Sequence, residues 1–182
     1  MGVHSLRPAA FLDRDGVINR AVVRSGKPYP PASADDLEIL PGVPEALARL
    51  KAAGYALVVV TNQPDIARGV TTQAAVDAIH ARIRHLLPLD EIRTCPHDDA
   101  DGCGCRKPKP GLLLRHPSYD LPVSVMVGDR WRDIEAGRAA GCGATILVDY
   151  GFDEAVPHEP DARVGSLEEA VEWWLGRSHG TD

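Results

Sequence analysis

Short apolar runs alternate along the chain with stretches whose apolar residues recur every three or four positions, so strands and helices are predicted in turn. The first run, Ala9-Ala10-Phe11-Leu12, stops at Asp13. After Pro41-Gly42, residues Val43, Ala46, Leu47 and Leu50 share one side of a helix, and Gly54 is a natural stop for it. Ala56 to Val60 reads as a buried strand ending at Thr61. Thr71 or Thr72 caps a helix with Val76, Ile79, Ile83 and Leu87 as its apolar stripe. Ile92-Arg93-Thr94 reads as a short strand, and Val123 to Val127 as another that ends at Gly128-Asp129. A helix then runs to about Gly141, and Ala144 to Val148 is expected as the last core strand. Ser166-Leu167-Glu168-Glu169 forms a capping box before a helix with Leu167, Ala170, Val171, Trp174 and Leu175 on one face.

Strands that alternate with helices predict an α/β fold, a doubly wound parallel sheet of Rossmann type. No internal repeat or low-complexity linker divides the chain, so residues 1–182 are expected to form one domain. The segments Arg20 to Asp36 and Asp153 to Arg163 read as loops. The first carries Lys27-Pro28-Tyr29-Pro30-Pro31 and either leans over a site or makes plain surface.

Composition narrows the partners. A formal charge of −6 argues against nucleic acid or an anionic membrane, so any anionic substrate needs a local cluster of cations. No apolar run approaches the ~18 residues of a membrane span. Met1 to Pro8 holds no apolar stretch of the kind a secretory signal needs. A soluble cytoplasmic monomer is expected.

Three predicted strands end in polar residues, Asp13, Thr61 and Asp129. Asp13-Arg14-Asp15-Gly16 sets two carboxylates two residues apart, an arrangement that repels itself unless a cation or proton intervenes. With Asp129 as a third carboxylate, hard oxygen ligands gather that suit Mg²⁺. A carboxylate that attacks a phosphate monoester also needs basic help. Lys107 and Arg106 are candidates for it, with a hydroxyl and amides at Thr61-Asn62.

Cys95-Pro96-His97 followed by Cys103-Gly104-Cys105 gives C-x-H-x5-C-x-C, a complete tetrahedral set for a structural Zn²⁺. The alternative is free thiols or a disulfide. Cys142, beside Gly141, is expected to be a small buried residue outside this set. The loop over residues 95–105 leads straight into Arg106-Lys107-Pro108 and would fix that basic pair relative to the sheet.

Together these motifs resemble the haloacid dehalogenase superfamily of phosphatases. The resemblance rests on Phe11-Leu12-Asp13-Arg14-Asp15-Gly16-Val17-Ile18-Asn19, Val58-Val59-Val60-Thr61-Asn62-Gln63, Cys105-Arg106-Lys107-Pro108 and Val127-Gly128-Asp129. Within it the chain is most similar to the D-glycero-D-manno-heptose 1,7-bisphosphate 7-phosphatases, a subgroup that includes histidinol-phosphate phosphatases with a similar zinc loop. The resemblance implies that Asp13 attacks phosphorus and that Asp15 acts as acid and then as base. It implies that Thr61 and Lys107 hold the phosphoryl group, and that Asp13, Asp129 and the backbone carbonyl of Asp15 bind Mg²⁺. Asn62, Arg68, Arg106 and Arg130 are the implied substrate contacts, with no separate cap domain.

Ile66-Ala67-Arg68-Gly69 is similar to the heptose enzymes, whereas the short His97-to-Cys103 spacing is similar to the histidinol enzymes. Pro64-Asp65 stands where Ser-Gly is often found, and Asp65 would suit a cationic substrate. A heptose bisphosphate and histidinol phosphate therefore both stay open. A receiver-like signalling domain shares the Asp-Thr-Lys constellation, but it does not account for Asp15.

Overall fold

Four consecutive apolar residues leave β1 (Ala9–Leu12) no polar face to turn to water. In the computed structural model, which describes residues 6–177, β1 accordingly lies deep inside a sheet. The chain continues through a hairpin, β2 (Val22–Arg24) and β3 (Lys27–Tyr29), to α1 (Val43–Ala52) and β4 (Ala56–Asn62). Then come α2 (Gln73–Leu86), β5 (Glu91–Cys95), the short α3 (Gly111–Leu114), β6 (Val125–Gly128) and α4 (Trp131–Ala140). β7 (Ala144–Val148), β8 (Ala162–Val164) and α5 (Leu167–Arg177) complete the described chain.

Six strands pair in the order β5-β4-β1-β6-β7-β8, every neighbour parallel. The chain winds outward from β1 through β4 to β5, then returns to the other side of β1 for β6, β7 and β8. Open parallel sheets bind ligands at such a switch point, beyond the carboxyl ends of the strands.

Alternation along β1 assigns its side chains to two cores. Ala10 and Leu12 pack with Val43, Leu47 and Leu50 of α1, Ile79 and Ile83 of α2, and Trp174 of α5. Ala9 and Phe11 face the other way, toward Leu112 and Leu113 of α3 and Ala136 of α4. Helices on both faces make the sheet doubly wound.

Four local expectations are corrected. β6 starts at Val125, because Leu121–Val123 forms a 3₁₀ turn closed by the Ser124 N–H on the Leu121 carbonyl at 2.9 Å. Pro122 has no N–H to give a ladder there. The segment from Asp153 to Arg163 ends in β8, which pairs with β7 from Ile146↔Ala162 onward. The Arg20–Asp36 segment contains the antiparallel β2–β3 hairpin, turned by Ser25 and Gly26 at φ 51° and 73°. Finally, the Ser166 hydroxyl accepts from the Glu169 N–H, but the Glu169 carboxylate reaches the Gly165 N–H instead of Ser166. Thr72 rather than Thr71 caps α2, through the Ala75 N–H at 3.1 Å. No described helix is long and apolar enough to cross a membrane.

Candidate active site

β4, β1 and β6 are adjacent, so Thr61, Asp13 and Asp129 meet at their carboxyl ends, on strands ~4.8 Å apart. The Asp13 N–H still donates to the Val127 carbonyl at 2.9 Å, which carries the strand geometry into the site. Two glycines make room for the carboxylates. A Cβ at Gly16, where φ is 90°, would stand 2.3 Å from Asp129 Oδ2. A Cβ at Gly128 would stand 2.1 Å from Asp133 Cβ.

One ammonium holds the centre. Lys107 Nζ donates to Asp13 Oδ1 at 2.8 Å, to Asp133 Oδ1 at 2.5 Å and to the Val60 carbonyl at 2.8 Å. Burial alone would lower the Lys107 pKa, but Asp13 and Asp133 outweigh it and the net shift is upward. Asp13, Asp129 and Asp133 bring one carboxylate oxygen each within 4.8 Å of one another. Burial, with Lys107 opposing and Asp133 adding, pushes Asp13 up to about 6. Burial, followed by Asp13 and Asp133, pushes Asp129 well above the usual carboxylate range. Asp129 Oδ2 is buried and has no hydrogen-bond partner among the described residues. A buried, unpaired carboxylate oxygen among like charges is costly unless a cation meets it, so these residues fit a hard divalent ion.

Asp133 was not among the sequence candidates. Its signal was available, since it lies four residues beyond Asp129 in the first turn of α4, where its Oδ2 accepts from the Arg130 N–H at 3.1 Å. The side chain of Asp15, by contrast, stands outside the gathered carboxylates. Arg14, Asn19 and Gln63 hold it at the cavity wall beside them, so any metal role for Asp15 would fall to its backbone carbonyl. Gln63, also missed, bridges Asp15 Oδ2 at 3.0 Å and the buried Thr61 Oγ1 at 2.9 Å.

Asn62 lines the cavity and also braces the lysine loop. Its amide accepts from the Lys107 N–H and donates to the Lys107 carbonyl, both at 3.1 Å. Both ends of its amide are occupied in tying the lysine loop to β4.

The thiol and imidazole cluster forms as the spacing implied. Cys95, His97, Cys103 and Cys105 bring their ligand atoms within 4.8 Å of one another, and all four described cysteines are free thiols. Two ligands ~2.3 Å from a tetrahedral zinc stand about 3.7 Å apart. The Cys95–Cys103 and Cys103–Cys105 separations of 3.7 and 3.6 Å match that edge. Cys95 and Cys105, at 3.0 Å, stand closer. Cys142 lies outside this cluster, as expected, but it is half-buried rather than buried.

Above the carboxylates opens a cavity of about 820 Å³. Its rim holds Arg68, Arg106, Arg130 and Arg132 together with Lys27 and Tyr29 of the hairpin, which therefore leans over the site. Each arginine is already ion-paired. Arg68 makes two 2.7 Å bonds to Asp98 and one of 3.3 Å to Asp65. Arg106 and Arg132 share Asp99, and Arg130 grips Glu154 at 2.6 and 2.8 Å. Asp98 and Asp99 belong to the cysteine loop, which thus orients three of the four guanidinium groups. Arg132 was missed because its partner lies 33 residues away.

The family described as Polynucleotide kinase 3 phosphatase matches residues 9–129, and the one described as HAD-hydrolase-like matches residues 104–170. The D-glycero-beta-D-manno-heptose-1,7-bisphosphate 7-phosphatase of Escherichia coli (strain K12) is 39% identical over 92% of this chain and 88% of its own length. The D-glycero-alpha-D-manno-heptose-1,7-bisphosphate 7-phosphatase of Mycobacterium tuberculosis is 39% identical over 78% of each chain. The crystal structure of D,D-heptose 1,7-bisphosphate phosphatase from B. bronchiseptica, complexed with magnesium and phosphate, superposes with a TM-score of 0.80. It has 34% identity and covers 93% of this chain and 99% of that one.

Proposed function

This chain belongs to the heptose-1,7-bisphosphate 7-phosphatase family of the haloacid dehalogenase-like hydrolases, and we propose that it removes the 7-phosphate of a D-glycero-D-manno-heptose 1,7-bisphosphate. The observation that carries the reading is the Lys107 ammonium between Asp13 and Asp133 at the ends of adjacent central strands.

In this reading Asp13 attacks phosphorus and takes the phosphoryl group as an aspartyl phosphate. Lys107 and the Thr61 hydroxyl receive the phosphoryl oxygens, which offsets the repulsion between a carboxylate and an approaching dianion. At ~4 Å and an effective dielectric of 20, that repulsion is roughly 4 kcal/mol for each pair of unit charges. Asp15 protonates the leaving oxygen, then takes a proton from the water that hydrolyses the aspartyl phosphate. Mg²⁺, when bound by Asp13, Asp129 and the Asp15 carbonyl, supplies further positive charge to the transferring group. Asp133 holds Lys107 for this task and is a positioning residue.

At the rim, Arg68, Arg106 and Arg130 offer cations to the sugar phosphate. Asp65, whose charge would favour a cationic substrate, is matched by Arg68 at 3.3 Å. The heptose bisphosphate is preferred to histidinol phosphate on the relatives' substrate, because the rim arginines are paired with Asp98, Asp99 and Glu154 and would have to exchange them for a phosphate. The test is a phosphate-release screen over both anomers of the heptose bisphosphate, histidinol phosphate, hexose phosphates and an aryl phosphate. A 3′-phosphorylated oligonucleotide belongs in the same screen. The heptose bisphosphate is expected to give the highest kcat/KM. A clear preference for histidinol phosphate would remove the substrate assignment and leave the phosphatase intact.

Cys95, His97, Cys103 and Cys105 are read as a structural Zn²⁺ site, since soft thiolates select zinc over magnesium. Cys103→Ala should leave the sheet folded while loosening the loop that carries Asp98, Asp99, Arg106 and Lys107. Activity is expected to fall without rescue by added Mg²⁺. Elemental analysis should find one zinc per chain, and zinc-free protein with full activity would exclude the site. A thiolate zinc site suits a reducing compartment, so we assign the enzyme to the cytoplasm; we further propose a single-domain monomer.

A further inference from the structure

Among the described residues, the least exposed charged side chain lies beneath the active site. Arg14 is 0% exposed, between the two aspartates of the first motif, and neither Arg14 nor His80 lines the cavity. A guanidinium carries five N–H donors and no acceptor, so its burial is tolerated only where acceptors surround it. Arg14 Nε and Nη2 donate to Asp15 Oδ1 at 3.2 and 3.1 Å, and Nη2 also donates to Oδ2 at 2.9 Å. Nη1 points away from Asp15 and meets His80 Nε2 at 3.0 Å. His80 is 8% exposed and sits on the face of α2 that packs onto the sheet. Because arginine only donates, Nε2 must be the acceptor, and the imidazole proton resides on Nδ1.

Asn19 Nδ2 at 2.9 Å and Gln63 Nε2 at 3.0 Å complete the set around Asp15, whose two oxygens thus accept five hydrogen bonds from described residues. Three of the five come from one long side chain with several rotatable bonds. Its guanidinium plane is set by bonds at both ends, to Asp15 on one side and His80 on the other. Replacing the acceptor on α2 with an apolar group leaves Nη1 without its partner and frees the plane to turn. The Asp15 carboxylate would turn with it.

We propose that His80 is a positioning residue that acts through Arg14 to aim the Asp15 carboxylate at the oxygen it must protonate and at the water it must deprotonate. The inference rests on the acid–base role given to Asp15 above. It ties the catalytic loop after β1 to α2, an element that contributes no group to the cavity.

The test is pre-steady-state hydrolysis of p-nitrophenyl phosphate, whose leaving group needs no proton, beside steady-state turnover of an alkyl phosphate. The His80→Leu variant should lower kcat for the alkyl phosphate about tenfold with KM within twofold. With the aryl phosphate it should release one equivalent of nitrophenol at the parent rate, followed by hydrolysis of the aspartyl phosphate about tenfold slower. In the His80→Gln variant an amide oxygen replaces Nε2, and kcat should return to within about twofold of the parent. Arg14→Lys should show the same split. The His80→Leu, Arg14→Lys double variant should be no slower than the slower single, because one device has been removed twice. Unchanged kcat in His80→Leu, equal loss in the Leu and Gln variants, or additive losses in the double variant would overturn the proposal. If Leu does not fold, His80→Met takes its place with the same expected split, and parent-like kcat in His80→Met would overturn the proposal. Failure of the underlying reading looks different, since the parent would then form no aspartyl phosphate or Asp15→Asn would turn over normally.

Discussion

Asp13→Asn is expected to fold and bind substrate while turning over at least ~10³-fold more slowly, the scale of loss when a covalent nucleophile is removed. An amide neither attacks phosphorus nor offers an anionic oxygen to a hard cation. The structure adds a second expectation. Asp13 is one of three carboxylates whose oxygens lie within 4.8 Å of one another, served by a single lysine that also holds Asp133 at 2.5 Å. Removing one negative charge relieves repulsion and leaves Lys107 with a partner. Thermal denaturation in the presence of a chelator should therefore give a midpoint no lower than that of the parent. Loss of activity with retained or raised stability marks a site arranged for chemistry at a cost in stability. Beryllium or aluminium fluoride with Mg²⁺ should bind the parent tightly and the variant weakly. Appreciable turnover by folded Asp13→Asn, free of parent enzyme, would overturn the mechanism.

Lys107→Met should do the opposite to stability and the same to activity. The ammonium is buried against Asp13 and Asp133, and no other cation donates a side-chain hydrogen bond to either carboxylate among the described residues. Removing one partner of a buried ion pair leaves its counter-charge uncompensated, which typically costs about 3–5 kcal/mol. Against a total of roughly 5–15 kcal/mol for a domain, that is a severe but survivable loss. Urea unfolding should show a midpoint well below the parent with an unchanged slope. Turnover should fall about 10²-fold or more, since the phosphoryl group loses its cationic partner. Parent-like stability in Lys107→Met would mean that the two carboxylates carry protons or find another cation.

Much of this was legible in one dimension because the strands are short, apolar and end abruptly. Ala9 to Leu12 and Ala56 to Val60 are buried throughout, so each is recognisable as an unbroken apolar run, and the residue after each falls at a sheet end. The C-x-H-x5-C-x-C spacing likewise closes a ligand set inside one loop. The β2–β3 hairpin and β8 were not legible. Each strand is three residues long and exposed or half-exposed, too short for alternation to register.

The sequence by itself determined which polar side chains stand at the strand ends: Asp13, Thr61 and Asp129, with Lys107 following the cysteine loop. These depend on local pattern, and local pattern survives in a linear string. Tertiary structure alone decided how the charges are shared. It brought Asp133 to Lys107 across 26 residues, Asp99 to Arg132 across 33 and His80 to Arg14 across 66. It also turned the Asp15 side chain away from the carboxylate cluster and committed the Asn62 amide to the lysine loop. Electrostatic energy depends on distance in space and on burial, and both come into being only when the sheet assembles and brings β4, β1 and β6 side by side.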